Sequence, residues 1–180
     1  MSDKPSMKSL DVPITIETDC RELGDETSIM NRVRGAVIAT ASAQGFLVGS
    51  IGVLITDDET IHQINREHLD HDYPTDVISF AYAQQSPHID GELVASFDTA
   101  KRQAASLQWS TLNELLLYVV HGTLHICGFD DATAQQRKQM RIAEQQVLCE
   151  LGITNSARFA PDAESTATIS STLETRSDLN

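Results

Sequence analysis

The sequence predicts an α+β fold: a single domain with a four-stranded mixed sheet, about five helices and a metal site at the end of a central apolar helix. Three observations carry this. Four short β-branched or apolar runs, near 12–18, 49–56, 76–81 and 89–97, are separated or flanked by segments of helical periodicity. A long apolar stretch begins at Thr111 and holds one charged residue, Glu114, before His121. That stretch closes on two histidines four residues apart, then a glycine and two aspartates.

Residues 1–11 are polar and are expected to be flexible. Val12 to Thr18 reads as a strand, with Pro13 marking its start or an edge. From Thr27 to Ala43, Met30, Val33, Val37 and Ile38 recur at helical spacing, and Arg32 and Arg34 lie off that stripe. Gly49 to Thr56 is the second strand. Asp57, Asp58 and Glu59 open a helix, because acids suit the positive end of its dipole. Ile61, Ile64, His68 and Leu69 continue it, and the loop to Pro74 ends it. Asp76 to Ala81 is the third strand. After the polar link 84–88, Ile89 to Phe97 is the fourth.

Asp98 to Leu107 is a short helix. Thr111 and Glu114 have capping-box spacing and start the apolar helix, expected to reach Cys127 with Gly128 just beyond its end. Thr133 and Gln136 repeat that spacing and open a last helix, which Gly152 stops after Leu151. The folded domain is thus 12–153. Residues 154–180 turn to Ser, Thr and acids without periodicity and read as a disordered tail.

The net charge of −13 argues against non-specific binding of polyanions. Residues 11–156 hold 9 basic and 21 acidic side chains, so the acidity belongs to the domain itself. No apolar run is long enough to span a membrane, and the first residues lack the apolar stretch of a signal peptide. A cytoplasmic protein is expected. Cys20, Cys127 and Cys149 are odd in number and far apart, which argues against a disulfide framework or a cysteine zinc site.

The chemistry concentrates in residues 121–131, HGTLHICGFDD. His121 and His125 share one helix face, with side chains about 6 Å apart, and can chelate one ion. Gly128 lets the chain turn back, so Asp131 can supply a third ligand; Asp130 is the competing choice. Thr133 is the better cap for the following helix, which releases Asp131 from that duty. Three protein ligands leave a position for water, as in catalytic zinc sites. A zinc protease of the H-E-x-x-H kind needs a glutamate beside the first histidine, where this chain has Gly122.

At these residues the sequence resembles the YbeY family of endoribonucleases, bacterial factors for maturing ribosomal RNA. His121, Gly122, Leu124, His125, Gly128, Phe129 and Asp130 match its H-G-x-L-H-x-x-G-[YF]-D-H pattern. Pro74 to Phe80 resembles its T-[DN]-V-[LI]-S-F segment, Gly91 to Ser96 its G-[DE]-I-x-[IV]-S strand, and Asn65 falls at a matching place. The blocks keep the family's order over roughly residues 12–153.

The resemblance implies a metal-dependent, single-strand-preferring endoribonuclease acting in 16S rRNA 3′-end maturation and ribosome quality control. Its partners would be an rRNA precursor and the small ribosomal subunit or its proteins, with no membrane and no DNA. The alternatives are a ribosome-assembly binding factor with a mainly structural metal, and a metal hydrolase acting on a peptide or small molecule. Zinc is the first choice of metal, with manganese or another divalent ion less excluded, because Asp131 stands at the family's third-histidine position and hardens the site. Water on the metal is the reacting group, and no side chain is assignable as general base. Leu69 stands where many members carry an arginine; Arg66, one turn earlier, is a substitute. Arg32, Arg34, Lys101 and Arg102 are the other candidates for RNA contact.

Overall fold

Alternation of buried and exposed residues builds one sheet, and helical periodicity lays helices on both of its faces. The computed structural model describes residues 9–69 and 72–154, with the side chain of Leu69 outside that description. In chain order the strands are β1 (Leu10–Asp11), β2 (Ile14–Ile16), β3 (Val48–Thr56), β4 (Val77–Gln85) and β5 (His88–Ser96). The helices are α1 (Glu26–Ala43), α2 (Asp58–Leu69), α3 (Phe97–Leu107), α4 (Thr111–Ile126) and α5 (Ala134–Glu150), with a 3-10 turn at Arg21–Leu23.

The sheet order is β1-β3-β5-β4, and β2 also pairs with β3. β3 runs parallel to β1, β2 and β5, whereas β4 and β5 form an antiparallel hairpin, so the sheet is mixed as expected. Five strands stand where the sequence suggested four, because the first expected strand, seen as β2, is preceded by β1, formed by residues read as part of the flexible N-terminus. Leu10 pairs with Gly49 and Ile14 with Val53, one continuous register interrupted at Val12 and Pro13. Proline has no N–H to give to the ladder, but its carbonyl still accepts from Val53 N at 2.9 Å. Pairing of Leu10 and Asp11 also places them inside the fold, earlier than the sequence boundary at residue 12. Residues 1–8 and the tail from 155 onward lie outside the described residues.

One face of the sheet presents Ile51, Val53, Ile55, Ile89, Leu93 and Ala95 to the main core with α1 and α4. The opposite face presents Leu54, Ile78, Phe80 and Val94 to Ile61 and Ile64 of α2. In α1 the buried stripe is Ile29, Val33, Ala36, Val37 and Thr40, while Ile38 is exposed. The stripe is thus rotated from the one the sequence suggested, because small residues let the helix lie close.

The two capping boxes fare differently. Thr133 and Gln136 make theirs in full at the start of α5. Thr111 and Glu114 do not. Ser110 is the residue at the N-terminal boundary of α4, no side chain caps there, and Glu114 is fully buried, accepting a hydrogen bond from Trp109 Nε1 at 2.8 Å. A core helix entering through an indole leaves its glutamate inside the packing and out of reach of its own N-terminus.

Candidate metal centre

A helix surrounded by protein has to be apolar all round. α4 is such a helix: it packs on α1, α3, α5, β4 and β5, and it is buried from Glu114 to Val120. His121 and His125 are half-buried and one turn apart, and His121 lines a cavity of about 210 Å³. Asp131 and Glu144 line the same cavity with Asp76, Arg137 and Arg141.

Two glycines make this end of the helix possible. Gly128 has φ +97°, and its N–H donates to His125 O while the N–H of Phe129 donates to Leu124 O. This paired closure turns the chain sharply and brings Asp131 back towards the histidines. Gly122 faces the sheet. A Cβ there would stand 2.9 Å from both Ser79 Oγ and Val77 Cγ2, so only glycine lets α4 lie this close to β4. The residue beside the first histidine therefore points into the core, away from the cavity. The lack of a protease-type glutamate is a packing requirement as well as a missing motif.

The Nε2 atoms of His121 and His125 are 3.0 Å apart. Asp131 Oδ2 lies 3.7 Å from the first and 3.9 Å from the second. All three ligand atoms fall within 4.8 Å of one another. Each ring is held from behind. His125 Nδ1 donates to Phe129 O at 3.0 Å, and His121 Nδ1 lies 2.6 Å from Oε1 of the buried Glu144. A carbonyl can only accept, so the proton of a neutral His125 sits on Nδ1 and its Nε2 is a bare lone pair. The same holds for a neutral His121 donating to Glu144. Two lone pairs and a carboxylate oxygen then face one another with no donor among them. A shared cation resolves this, and so does a proton on His121.

The donor set fits a divalent ion. Tetrahedral ligands at zinc bond lengths stand about 3.3 Å apart, which the observed separations bracket. Backing of each ligand histidine by a carboxylate or carbonyl is the usual support of such sites. Burial opposes protonation of His121, but the Glu144 hydrogen bond and charge, with the charges of Asp76 and Asp131, outweigh it and raise its pKa above the ordinary value. Proton and metal therefore compete for the same nitrogen. Among the described residues no thiol joins the cluster; burial pushes Cys127 up to about 12, and burial with nearby carboxylates pushes Cys20 up to about 11.

Asp130, the competing ligand, is occupied with the turn. Its Oδ1 accepts from the N–H groups of Asp131 and Ala132, and its Oδ2 from Gln136 Nε2. Among the described residues the Asp131 carboxylate makes no such bonds, and it is the one brought to the histidines.

The candidate RNA contacts are scattered. Arg32 and Arg34 lie on α1 and Arg66 on α2, and none lines the cavity. Lys101 is paired with Glu22 at 2.5 Å, and Arg102 with Asp58. Sequence reasoning missed Glu144, Arg137 and Arg141. The signal was available, since positions 137, 141 and 144 share one face of α5 at helical spacing. What was not available was the direction of that face.

The chain matches the family model described as Endoribonuclease YbeY over residues 14–152. A relative named Endoribonuclease YbeY from Rhodopirellula baltica is 52% identical over 135 residues, covering 72% of this chain and 70% of its own. One of the same name from Porphyromonas gingivalis is 40% identical over 121 residues, covering 67% and 80%. A solution structure of a Thermotoga maritima protein superposes with a TM-score of 0.52 at 19% identity, covering 77% of this chain and 90% of that one, a likeness of fold.

Proposed function

Because the chain belongs to the YbeY endoribonuclease family, we propose that it is a zinc-dependent, single-strand-preferring endoribonuclease of 16S rRNA 3′-end maturation and ribosome quality control. The observation that carries the metal part is the cluster of three acceptors, His121, His125 and Asp131, with each imidazole fixed from behind. The domain 12–153 carries the activity, the small ribosomal subunit brings the substrate, and the work is cytoplasmic.

When bound, the ion lowers the pKa of a water and polarises a phosphoryl oxygen. The side chains do the rest. Glu144 keeps the His121 proton on Nδ1 and turns Nε2 to the cavity. Phe129 O does the same for His125. Asp131 supplies the anionic third contact, and the clasp of Asp130 on Gln136 sets its place in the turn.

The test is metal analysis of untagged full-length protein, followed by incubation with a 16S precursor bearing its single-stranded 3′ extension. One zinc per chain and cleavage that a chelator stops and zinc restores are expected. Protein that takes up no transition metal on reconstitution overturns the metal reading. Metal-loaded protein that leaves the precursor intact overturns the nuclease reading.

Two further outcomes are expected in competition titrations against a chromophoric chelator. Asp131→Ala weakens zinc affinity by more than about 100-fold, beyond the range for an outer partner, whereas Asp130→Ala leaves it within about tenfold. The reverse order would move the third ligand to Asp130. Glu144→Gln keeps an acceptor for Nδ1 but loses its charge, and a loss of about 10-fold or more in zinc affinity is expected. An unchanged affinity would show that Glu144 does not support the ligand.

A further inference from the structure

The domain is strongly acidic, yet its proposed substrate is a polyanion, and the structure offers a local answer. α5 turns Arg137, Arg141 and Glu144 to the cavity lined by His121 and Asp131. Glu144 is committed to His121. Arg137 is anchored differently from the other basic groups named above. Its Nη1 donates to the backbone carbonyls of Asp131 at 3.0 Å and Ala132 at 2.8 Å. Both acceptors are neutral, so the guanidinium is held in place while its charge is kept. Its Nε and Nη2 have no protein partner among the described residues. These two parallel donors are the edge that grips a phosphate in a bidentate manner.

Charge decides when that edge is useful. Among the carboxylates and guanidinium groups lining the cavity, Asp76, Asp131 and Glu144 outnumber Arg137 and Arg141 by one. A divalent ion held by His121, His125 and Asp131 would reverse that balance. A phosphodiester would then be attracted to the cavity that Arg137, clamped to the backbone of Asp131, also lines.

We propose that Arg137 binds a backbone phosphate of the RNA chain at this cavity. This rests on the nuclease reading above. It makes Arg137 a substrate-binding residue and gives the acidic chain an anion site where cleavage would occur.

The test uses zinc-loaded full-length protein and a short fluorescein-labelled 2′-O-methyl single-stranded RNA. Binding is followed by anisotropy across a salt series, with zinc content and precursor cleavage measured on the same samples. Arg137→Ala is expected to weaken binding by about tenfold and to reduce the slope of log affinity against log salt by about 0.7, with zinc content unchanged. Arg137→Lys, which keeps the charge but not the fork, is expected to keep the slope and recover part of the affinity. Unchanged affinity and slope in Arg137→Ala, with wild-type protein cleaving the precursor, overturn this inference alone. Loss of zinc together with RNA affinity would reduce Arg137 to a clasp on the turn and also overturn it. Wild-type protein that neither binds nor cleaves RNA overturns the nuclease reading and this inference together.

Discussion

His121→Ala is expected to lose zinc and precursor cleavage together, with zinc falling from one equivalent to background and cleavage by at least about 100-fold. His121 is the one residue that meets every part of the centre. Its Nε2 lies against His125 and Asp131, and its Nδ1 against Glu144. Alanine removes a ligand and leaves the buried Glu144 without its partner, at a cost of a few kcal/mol in stability, of the order known for broken buried pairs. The measurements are zinc content, precursor cleavage, and support of 16S processing in cells lacking the protein. Cleavage that persists in the variant would come from another nuclease and would remove the case for this centre. A variant that loses zinc and cleavage yet supports processing would make ribosome binding the function, with the metal structural.

Gly122→Glu is expected to prevent folding, and Gly122→Ala to lower stability by about 1–3 kcal/mol through overpacking. Even a methyl group meets Ser79 Oγ and Val77 Cγ2 at 2.9 Å, a distance at which those side chains or the helix have to shift. A glutamate adds a carboxylate with no partner inside the core, a cost of several kcal/mol against a typical total of about 5–15 kcal/mol. Urea denaturation followed by circular dichroism checks both. An unchanged midpoint for Gly122→Ala would mean that the helix is not held against the strand as described. The pair of variants also shows why restoring an H-E-x-x-H motif here would not yield a protease, since its glutamate would enter the sheet interface.

Much of this was legible in the sequence because the signals were local. The i, i+4 spacing of His121 and His125, the glycine stop and the Thr133–Gln136 box each depend on residues within one turn or one loop, and short-range geometry settles them. Asp131 could be preferred over Asp130 for the same reason. The failures were non-local. Whether Glu114 caps α4 or is buried against Trp109 depends on how α3 leads into α4. That Glu144 meets His121 across 23 residues depends on the angle between two helices, which no periodicity encodes. The extra strand at Leu10–Asp11 depends on pairing with β3, some forty residues on, and not on the residues around it. The basic candidates Lys101 and Arg102 are paired with Glu22 and Asp58, acids that lie far off in the chain.

The turn at Gly128 has a consequence for how the centre is assembled in time. All three candidate ligands lie within eleven consecutive residues, and the loop they close is short, so little chain entropy is lost in bringing them together. A centre made this way needs the α4–α5 corner and not the completed sheet. An ion held there shifts the opening equilibrium of that corner by mass action, in proportion to the logarithm of ion concentration over dissociation constant. With an ion bound there, the amide-exchange protection and protease resistance of that one corner would rise with ion concentration, independently of whether any RNA is being cut.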